Sequence, residues 1–220
     1  MTGSGRHVSI FNGRPLFRQG AWPACLGVVF LLLTGCVPSP PSHPENICAI
    51  FKEKRSWYRA AIRQEKKSGV PLNVPMAIIH QESGFHSNLH TQRTYFLWVI
   101  PWGHITSAYG YPQAQNGAWA DYERAKDTSG SREDFEDSLK FINWYVTETR
   151  RINHVPVYDA RRQYLAYHEG WGGYQKGTYR RKSWLMRVAR NVGGRAARYR
   201  RQFAQCRESL KEHGFWSWLF

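Results

Sequence analysis

Apolar residues recur at helical spacing through most of the chain beyond residue 45, and no other feature constrains the fold as strongly. One run follows Ser131-x-x-Asp134, which resembles a capping box, and Asp159 and Ser183 could cap two later helices. The longest runs contain Phe135, Leu139, Ile142, Tyr145 and Val146, and then Trp184, Val188, Val192, Tyr199 and Phe203. Alternating, valine-rich runs are absent from the sequence. The pattern therefore predicts a mostly α domain over residues 46–210.

Three local predictions concern the first half of this domain. Asn73 is expected to cap a short helix that ends near Glu82. Residues 84–107 have no clean period and are expected to form a long loop with an aromatic centre. The next helix is expected to begin near Pro112, because proline suits the first turn of a helix.

The N-terminal residues have the pattern of an export signal. Three arginines precede an apolar run at residues 21–33, which is too short to span a bilayer comfortably. The run ends in Leu-Thr-Gly-Cys at residues 33–36, which looks like a bacterial lipobox. That likeness implies a lipoprotein signal peptide over 1–35, lipidation of Cys36, and a lipidated, proline-rich tether over 36–45. The alternative is a plain secretory signal or a short anchor, with Cys36 an incidental thiol.

The export signal has consequences for the cysteines and for the compartment. Cys48 and Cys206 can form one disulfide in an oxidising periplasm; the alternative is two buried free thiols. The residue after the predicted lipidation site is Val37. An aspartate at this position would favour retention in the inner membrane. We therefore expect a lipid-anchored protein of the cell envelope, at the outer membrane and facing the periplasm.

Charge and aromatic content suggest the kind of partner. The formal net charge is +15, and aromatic residues make up 15% of the chain. Such a protein suits an anionic partner or surface, and its aromatic side chains suit a groove that binds sugars or bases. Nucleic acid is not expected as a partner, because an exported lipoprotein rarely meets it. The composition also excludes a collagen-like, coiled-coil or multi-pass membrane protein.

The first motif with chemical meaning is His-Gln-Glu-Ser-Gly-Phe at residues 80–85. Val74, Ile78 and Glu82 are four residues apart, so the carboxylate continues the apolar stripe of its helix. Partial desolvation raises the pKa of a carboxyl group and lets it act as a general acid near neutrality. The alternative is a helix-end glutamate turned to solvent.

Two later motifs combine aromatic rings with turn residues. Residues 107–114 (Ser-Ala-Tyr-Gly-Tyr-Pro-Gln-Ala) are expected to form a rigid turn that presents Tyr109 and Gln113. Residues 164–174 end a helix in a glycine-rich aromatic loop that contains Tyr167 and His168. Each motif alone could equally be core and capping.

Taken in order, the three motifs resemble those of the lytic transglycosylases with a goose-type-lysozyme-like fold, over about residues 57–184. The resemblance implies a lysozyme-like (SLT) helical domain in a bacterial lipoprotein. Residues 110–113 stand where the family has Gly-Leu-Met-Gln, and residues 166–168 where it has Ala-Tyr-Asn. Tyr-Pro thus replaces Leu-Met, and His168 replaces the asparagine. By resemblance Glu82 is catalytic, and the substrate-binding residues are Ser83, Tyr109, Gln113, Tyr167 and His168.

The resemblance implies a reaction that needs one carboxyl group rather than the usual two. Glu82 would protonate the oxygen leaving the MurNAc anomeric carbon and then accept the proton of the same sugar's 6-hydroxyl group. The partner would be peptidoglycan glycan strands, bound by a monomer. The alternative is a lipoprotein of the same fold that binds peptidoglycan without turnover.

No cofactor or metal ion is expected. His168-Glu169 begins like a zinc-protease helix, but Gly172 stands where His-Glu-x-x-His needs its second histidine. The last ten residues, 211–220, are predicted to be an aromatic C-terminal tail. This tail either folds back over the last helix or inserts its rings at the level of lipid headgroups.

Overall fold

A computed structural model describes residues 38–91, 93–96, 100–104 and 106–216, with side chains over 38–91 and 106–211. The predicted signal peptide, the lipidation site at Cys36 and the last four residues lie outside the described residues. The described chain contains seven α-helices, one short 3-10 helix and one β-hairpin. The helices are α1 Ile47–Glu53, α2 Arg55–Ser68, α3 Asn73–Ser83, α4 Asn116–Lys126, α5 Phe135–Asn153, α6 Ala160–Lys176 and α7 Ser183–Trp216, with the 3-10 turn at Thr178–Arg181.

The prediction of a mostly α domain is confirmed. Asp134 and Asp159 cap α5 and α6, accepting hydrogen bonds from the backbone N–H groups of Asp137 and Arg162. Ser183 is the first residue of α7. None of the described helices has the length and the apolar character that a membrane-spanning helix needs.

Helix α3 lies at the centre of the domain, where it contacts α5, α6 and α7. Every residue from Val74 to Ile79 is buried, so this helix is apolar on all sides rather than on one face. Gly84 ends the helix in the left-handed region, with φ 58°, and Phe85 follows with φ 67°. These two residues turn the chain sharply just after Glu82 and leave its side chain in the last turn of α3.

Three local predictions need correction. Residues 84–107 are not all loop, because Arg93–Phe96 (β1) pairs antiparallel with Ile100–His104 (β2). Helix α4 begins at Asn116 rather than near Pro112, since residues 110–113 form a tight turn. Asn73 lies inside α3, and the residue before the helix makes no side-chain capping bond.

The N- and C-terminal parts of the domain are joined covalently. The structure pairs Cys48 on α1 with Cys206 on α7, as the sequence predicted, with their Cα atoms 6.0 Å apart. Helix α7 continues to Trp216, so the predicted C-terminal tail begins as the end of this helix. The side chains of that segment are outside the described residues.

The described part of the predicted tether is not an extended spacer. The hydroxyl of Tyr199 on α7 donates a hydrogen bond to the carbonyl of Pro44, and Glu45 forms ion pairs with Arg195 and Arg198 of the same helix. The backbone N–H of Ser42 also donates to Glu53, at 2.9 Å. Residues 38–45 therefore pack onto the domain, because α7 supplies partners for their carbonyl and carboxylate groups.

Candidate active site

Glu82 is partly buried in the last turn of α3, at the end of the stripe formed by Val74 and Ile78. Burial raises the pKa of its carboxyl group to about 7, although a hydrogen bond from the hydroxyl of Tyr164 opposes this shift. The negative end of the helix dipole also disfavours the ionised form. Glu82 can therefore both donate and accept a proton near neutral pH.

Two tyrosines of α6 lie beside this carboxyl group. The hydroxyl of Tyr164 donates a hydrogen bond to Glu82, whereas that of Tyr167 donates one to the carbonyl of Pro112, at 2.5 Å. Burial raises the pKa of Tyr167 well above its ordinary value, and the neighbouring charge of Glu82 adds to the effect. The hydroxyl of Tyr145 on α5 donates to the carbonyl of Ala166 at 3.1 Å, and its ring packs 5.0 Å from that of Tyr167. Both α6 tyrosines stay neutral hydrogen-bond donors in fixed positions.

The turn at residues 110–113 joins α6 to the loop after α3. Gly110 has φ 74°, and a Cβ there would lie 2.2 Å from the carbonyl oxygen of Arg132, so no other residue fits. The side-chain amide of Gln113 donates to the carbonyls of Leu89, at 2.7 Å, and Gly110, at 2.9 Å. The bond to Leu89 ties the turn to the loop after α3, and the bond to Gly110 closes the turn on itself. The predicted role of Gln113 in substrate binding stays a prediction.

Ser83, the residue after Glu82, lies in the interior of the domain. Its side chain is buried, with the residue 4% exposed, and its hydroxyl donates to the carbonyl of Ile79 at 3.2 Å. A serine in the last turn of a helix commonly makes this bond to the preceding turn. The structure thus shows a role for Ser83 in the packing of α3, and its substrate-binding role stays a prediction.

Tyr109 forms one wall of a cavity of about 370 Å³ between the loops. Its ring stacks on that of His90 with centroids 4.1 Å apart, and the guanidinium of Arg132 lies 5.6 Å from its centroid. Arg132 also donates hydrogen bonds to the carbonyls of Ser107 and Ala114, and these bonds fix its position next to the ring of Tyr109. The partly exposed ring gives this cavity an aromatic surface of the kind that sugars pack against.

His168 is exposed near the middle of α6, two residues before Gly170, with its ring 5.2 Å from that of Trp184. Its Nδ1 bonds Glu169 at 3.0 Å, and Glu169 also accepts hydrogen bonds from Thr178 and, at 2.7 Å, Lys182. Burial alone would raise the pKa of Glu169, but these bonds outweigh it and lower the pKa to about 2. Glu169 is thus a permanently ionised anchor and cannot serve as a second general acid.

Helix α6 bends immediately after this anchor, because Gly170 has φ 72° and ψ 162°. Beyond the bend, the indole of Trp171 stacks on Tyr145 at 4.8 Å, and its N–H donates to Thr149 at 3.0 Å. Among the described residues, no group of three or more His, Cys, Asp or Glu side chains is arranged to hold a metal ion.

The family model described as the transglycosylase SLT domain matches residues 24–206. The chain belongs to the SLT-domain transglycosylase family. The lysozyme-like helical fold is thereby established, and this domain implies binding of peptidoglycan. No curated protein matches the sequence at a significant level.

Two of the predicted site residues of this SLT domain, Glu82 and Tyr167, lie close together. Tyr167 also bonds the turn that contains Gln113. Tyr109 lines a separate cavity, and His168 contacts Glu169 and Trp184. Tyr164 was not predicted as a site residue, although its hydroxyl hydrogen-bonds the carboxyl group of Glu82. Its spacing of three residues from Tyr167 places both rings on one face of α6, and that spacing was the available sign.

A polar cluster surrounds His80, two residues before Glu82 on α3. His80 Nδ1 is 2.9 Å from the hydroxyl of Tyr199, and its Nε2 is 3.6 Å from Glu45. Burial lowers the pKa of His80 to about 4, and the positive charge of Arg195 adds to this effect. The imidazole is therefore neutral at pH 7, and it links α3 to α7 and to the N-terminal segment.

Proposed function

We propose that the chain is a peptidoglycan lytic transglycosylase that cleaves the β-1,4 bond between MurNAc and GlcNAc without water. The family match supports transglycosylase chemistry on peptidoglycan. The observation that favours this particular mechanism is the carboxyl group of Glu82, whose pKa lies at about 7 because it is buried. A single group with such a pKa can act as acid in one step and as base in the next.

The proposed reaction has two proton transfers and no net change in Glu82. The protonated carboxyl group donates to the glycosidic oxygen while the bond from the MurNAc C1 to that oxygen breaks. The resulting carboxylate then takes the proton of the 6-hydroxyl group as O6 forms a bond to C1. The products are a free GlcNAc 4-hydroxyl end and a 1,6-anhydroMurNAc end, so all atoms of the substrate are retained.

The surroundings of Glu82 favour this route over two-carboxylate hydrolysis. Classical glycosidases use a second carboxylate to attack the sugar or to activate water. Glu169 is the one candidate that the motifs offer, and it is ionised and bound by Lys182 and Thr178. Its hydrogen bonds explain why it would stabilise the bend of α6 rather than act on substrate.

Neighbouring side chains have supporting roles in the proposal. Tyr164 holds the carboxyl group of Glu82, and Tyr167 fixes the turn that faces it. Tyr109 and His168 present partly exposed rings to sugar units on either side. Gln113 would act indirectly, by keeping the two loops together.

We further propose that Cys36 is lipidated and that the monomeric protein is anchored to the outer membrane, facing the periplasm. The support is the lipobox-like sequence and the residue that follows it, Val37.

Digestion of purified sacculi by the protein, followed by mass spectrometry of the soluble muropeptides, tests the proposed reaction. Transglycosylation predicts products that end in 1,6-anhydroMurNAc, each lighter by one water molecule than the corresponding reducing sugar. Reducing ends alone would indicate a hydrolase, and the absence of any release would indicate a binding protein.

A further inference from the structure

A second cavity, of about 460 Å³, opens between α2, α4 and α5. Its lining includes Lys67 of α2, Lys126 of α4, and Asn143 and Trp144 of α5. None of the residues that line it belongs to the site around Glu82. The proposed transglycosylase reaction gives this cavity no role.

The floor of the cavity contains an unmet hydrogen-bond acceptor. Asn143 is 3% exposed, and its amide oxygen has no partner within the described part of the chain. Burying such a group without a hydrogen bond is unfavourable, typically by about 1–3 kcal/mol. The oxygen is itself shielded from solvent, so a molecule in the cavity that donates an N–H or O–H group would remove this cost once the side chain of Asn143 turns toward it.

Other polar groups on the walls are already engaged within the protein. The hydroxyl of Thr147 donates to the backbone carbonyl of Asn143 at 2.7 Å. The hydroxyl of Ser68 donates to the backbone carbonyl of Gln64, also at 2.7 Å. Glu148 is paired with Arg151 at 2.7 Å. These groups therefore do not compete for the amide oxygen on the floor.

Positive charge surrounds the opening. Lys140 is paired with Asp137 at 2.9 Å, whereas Lys67 and Lys126 form no ion pair with any described residue. Both ammonium groups are on exposed residues, so they are free to reach a ligand. The rings of Tyr122 and Trp144, 5.5 Å apart, form an apolar wall below them.

We propose that this cavity binds the carboxylate end of a peptidoglycan stem peptide. A peptide offers an amide N–H for the oxygen of Asn143 and a carboxylate for Lys67 and Lys126, with small apolar side chains to lie against Trp144. This proposal rests on the proposed function for the identity of its ligand. The cavity would hold the peptide of a strand while the glycan backbone lies elsewhere on the domain.

Calorimetric titration of the full chain carrying Glu82→Gln, purified in detergent, with a free stem tetrapeptide tests the proposal without requiring turnover. Combined Lys67→Glu and Lys126→Glu should weaken binding at least about tenfold, as expected for the loss of charge-assisted hydrogen bonds. The matched control, Lys52→Glu with Lys66→Glu, changes the net charge equally at exposed positions outside the cavity. Its affinity should stay within about twofold of the parent.

Further ligands and one further variant identify what is recognised. The C-terminally amidated tetrapeptide should bind weakly to the Glu82→Gln protein. Its affinity should equal that of the carboxylate peptide for the protein that also carries Lys67→Glu and Lys126→Glu. Asn143→Leu should weaken binding of the peptide but not of acetate, and its melting temperature verifies that it folds. Acetate or inorganic phosphate binding as tightly as the peptide would overturn the proposal in favour of a nonspecific anion site.

Failure of this proposal is distinguishable from failure of the proposed reaction. No detectable peptide binding, or equal loss in the lysine variant and its control, overturns the cavity proposal even if sacculi are still cleaved. Absence of anhydro products with intact, lysine-dependent peptide binding overturns the reaction and leaves the cavity proposal standing.

Discussion

The hydroxyl of Tyr164 donates a hydrogen bond to the carboxyl group of Glu82 across the contact between α6 and α3. This bond stabilises the carboxylate and so lowers the pKa of Glu82, against the larger upward effect of burial. The balance between the two sets the pH range in which Glu82 holds its proton.

Tyr164→Phe should move the alkaline limb of the pH–activity profile to higher pH. Removing the bond raises the pKa of Glu82, and the first step needs the protonated carboxyl group. The measurement is kcat/KM on a defined glycan between pH 5 and 9, with Tyr179→Phe as the control. An unchanged alkaline limb would show that the bond does not influence the acid.

Tyr167→Phe should lower kcat more than it raises KM. Its hydroxyl fixes the turn at Pro112 against α6, and its ring lies beside Glu82. Loss of this one bond should also lower the free energy of unfolding by about 1 kcal/mol. Steady-state kinetics and thermal melts of parent and variant measure both effects. Identical kinetics would mean that Tyr167 only packs.

Glu82→Gln should stabilise the fold at alkaline pH relative to the parent. A carboxyl group with a pKa of 4.5 when unfolded and about 7 when folded binds its proton more tightly in the native state. Stability of the parent therefore falls as pH rises from about 4.5 to about 7, by at most about 3 kcal/mol. The amide does not titrate, so the difference in unfolding free energy between variant and parent should grow over this range.

The comparison between parent and variant is needed because His80 also titrates. Its pKa is about 4 in the fold against 6.5 ordinarily, and it is present in both proteins. Denaturant unfolding of both proteins at pH 4 and at pH 8 gives the difference in unfolding free energy between variant and parent at each pH. A difference that does not depend on pH would contradict the raised pKa of Glu82.

Cys36→Ser should release the protein from the membrane fraction or leave it unprocessed, because the acyl chains are the proposed anchor. Cys25→Ser is the matched control, since it changes a cysteine inside the predicted signal peptide. Cell fractionation with palmitate labelling measures both variants. Recovery of labelled parent protein in the inner membrane would contradict the predicted location.

Local sequence patterns predicted the helices and the position of Glu82, because both depend on spacing along the chain. The cap that Asp159 gives to α6 was predictable for the same reason, because it is a hydrogen bond to the nearby backbone N–H of Arg162. The bond from Ser83 to Ile79 is also local, but the main partner of Gln113, the carbonyl of Leu89, could not be predicted in this way, since it lies 24 residues away on another loop. The motifs placed these residues near the site but could not show that their polar groups were already engaged.

The β-hairpin and the packed N-terminal segment were missed for different reasons. The strand Ile100–His104 contains a proline and a glycine and shows no alternation, and its pairing with Arg93–Phe96 is irregular between Thr94 and Tyr95. Residues 38–45 are rich in proline and suggest a tether, but their partners are Tyr199 and two arginines of a helix far along the chain. Only the folded structure brings those groups together.

The most direct test of Glu82 as a single acid and base is digestion of sacculi in water enriched in heavy oxygen, with parent and Glu82→Gln compared by mass spectrometry. The parent should release 1,6-anhydroMurNAc ends without heavy oxygen, and the variant should release at least about 100-fold less. Melting temperatures should show that the variant is folded. Heavy oxygen at the cleaved C1 position, or substantial release by the variant, would contradict the proposed mechanism.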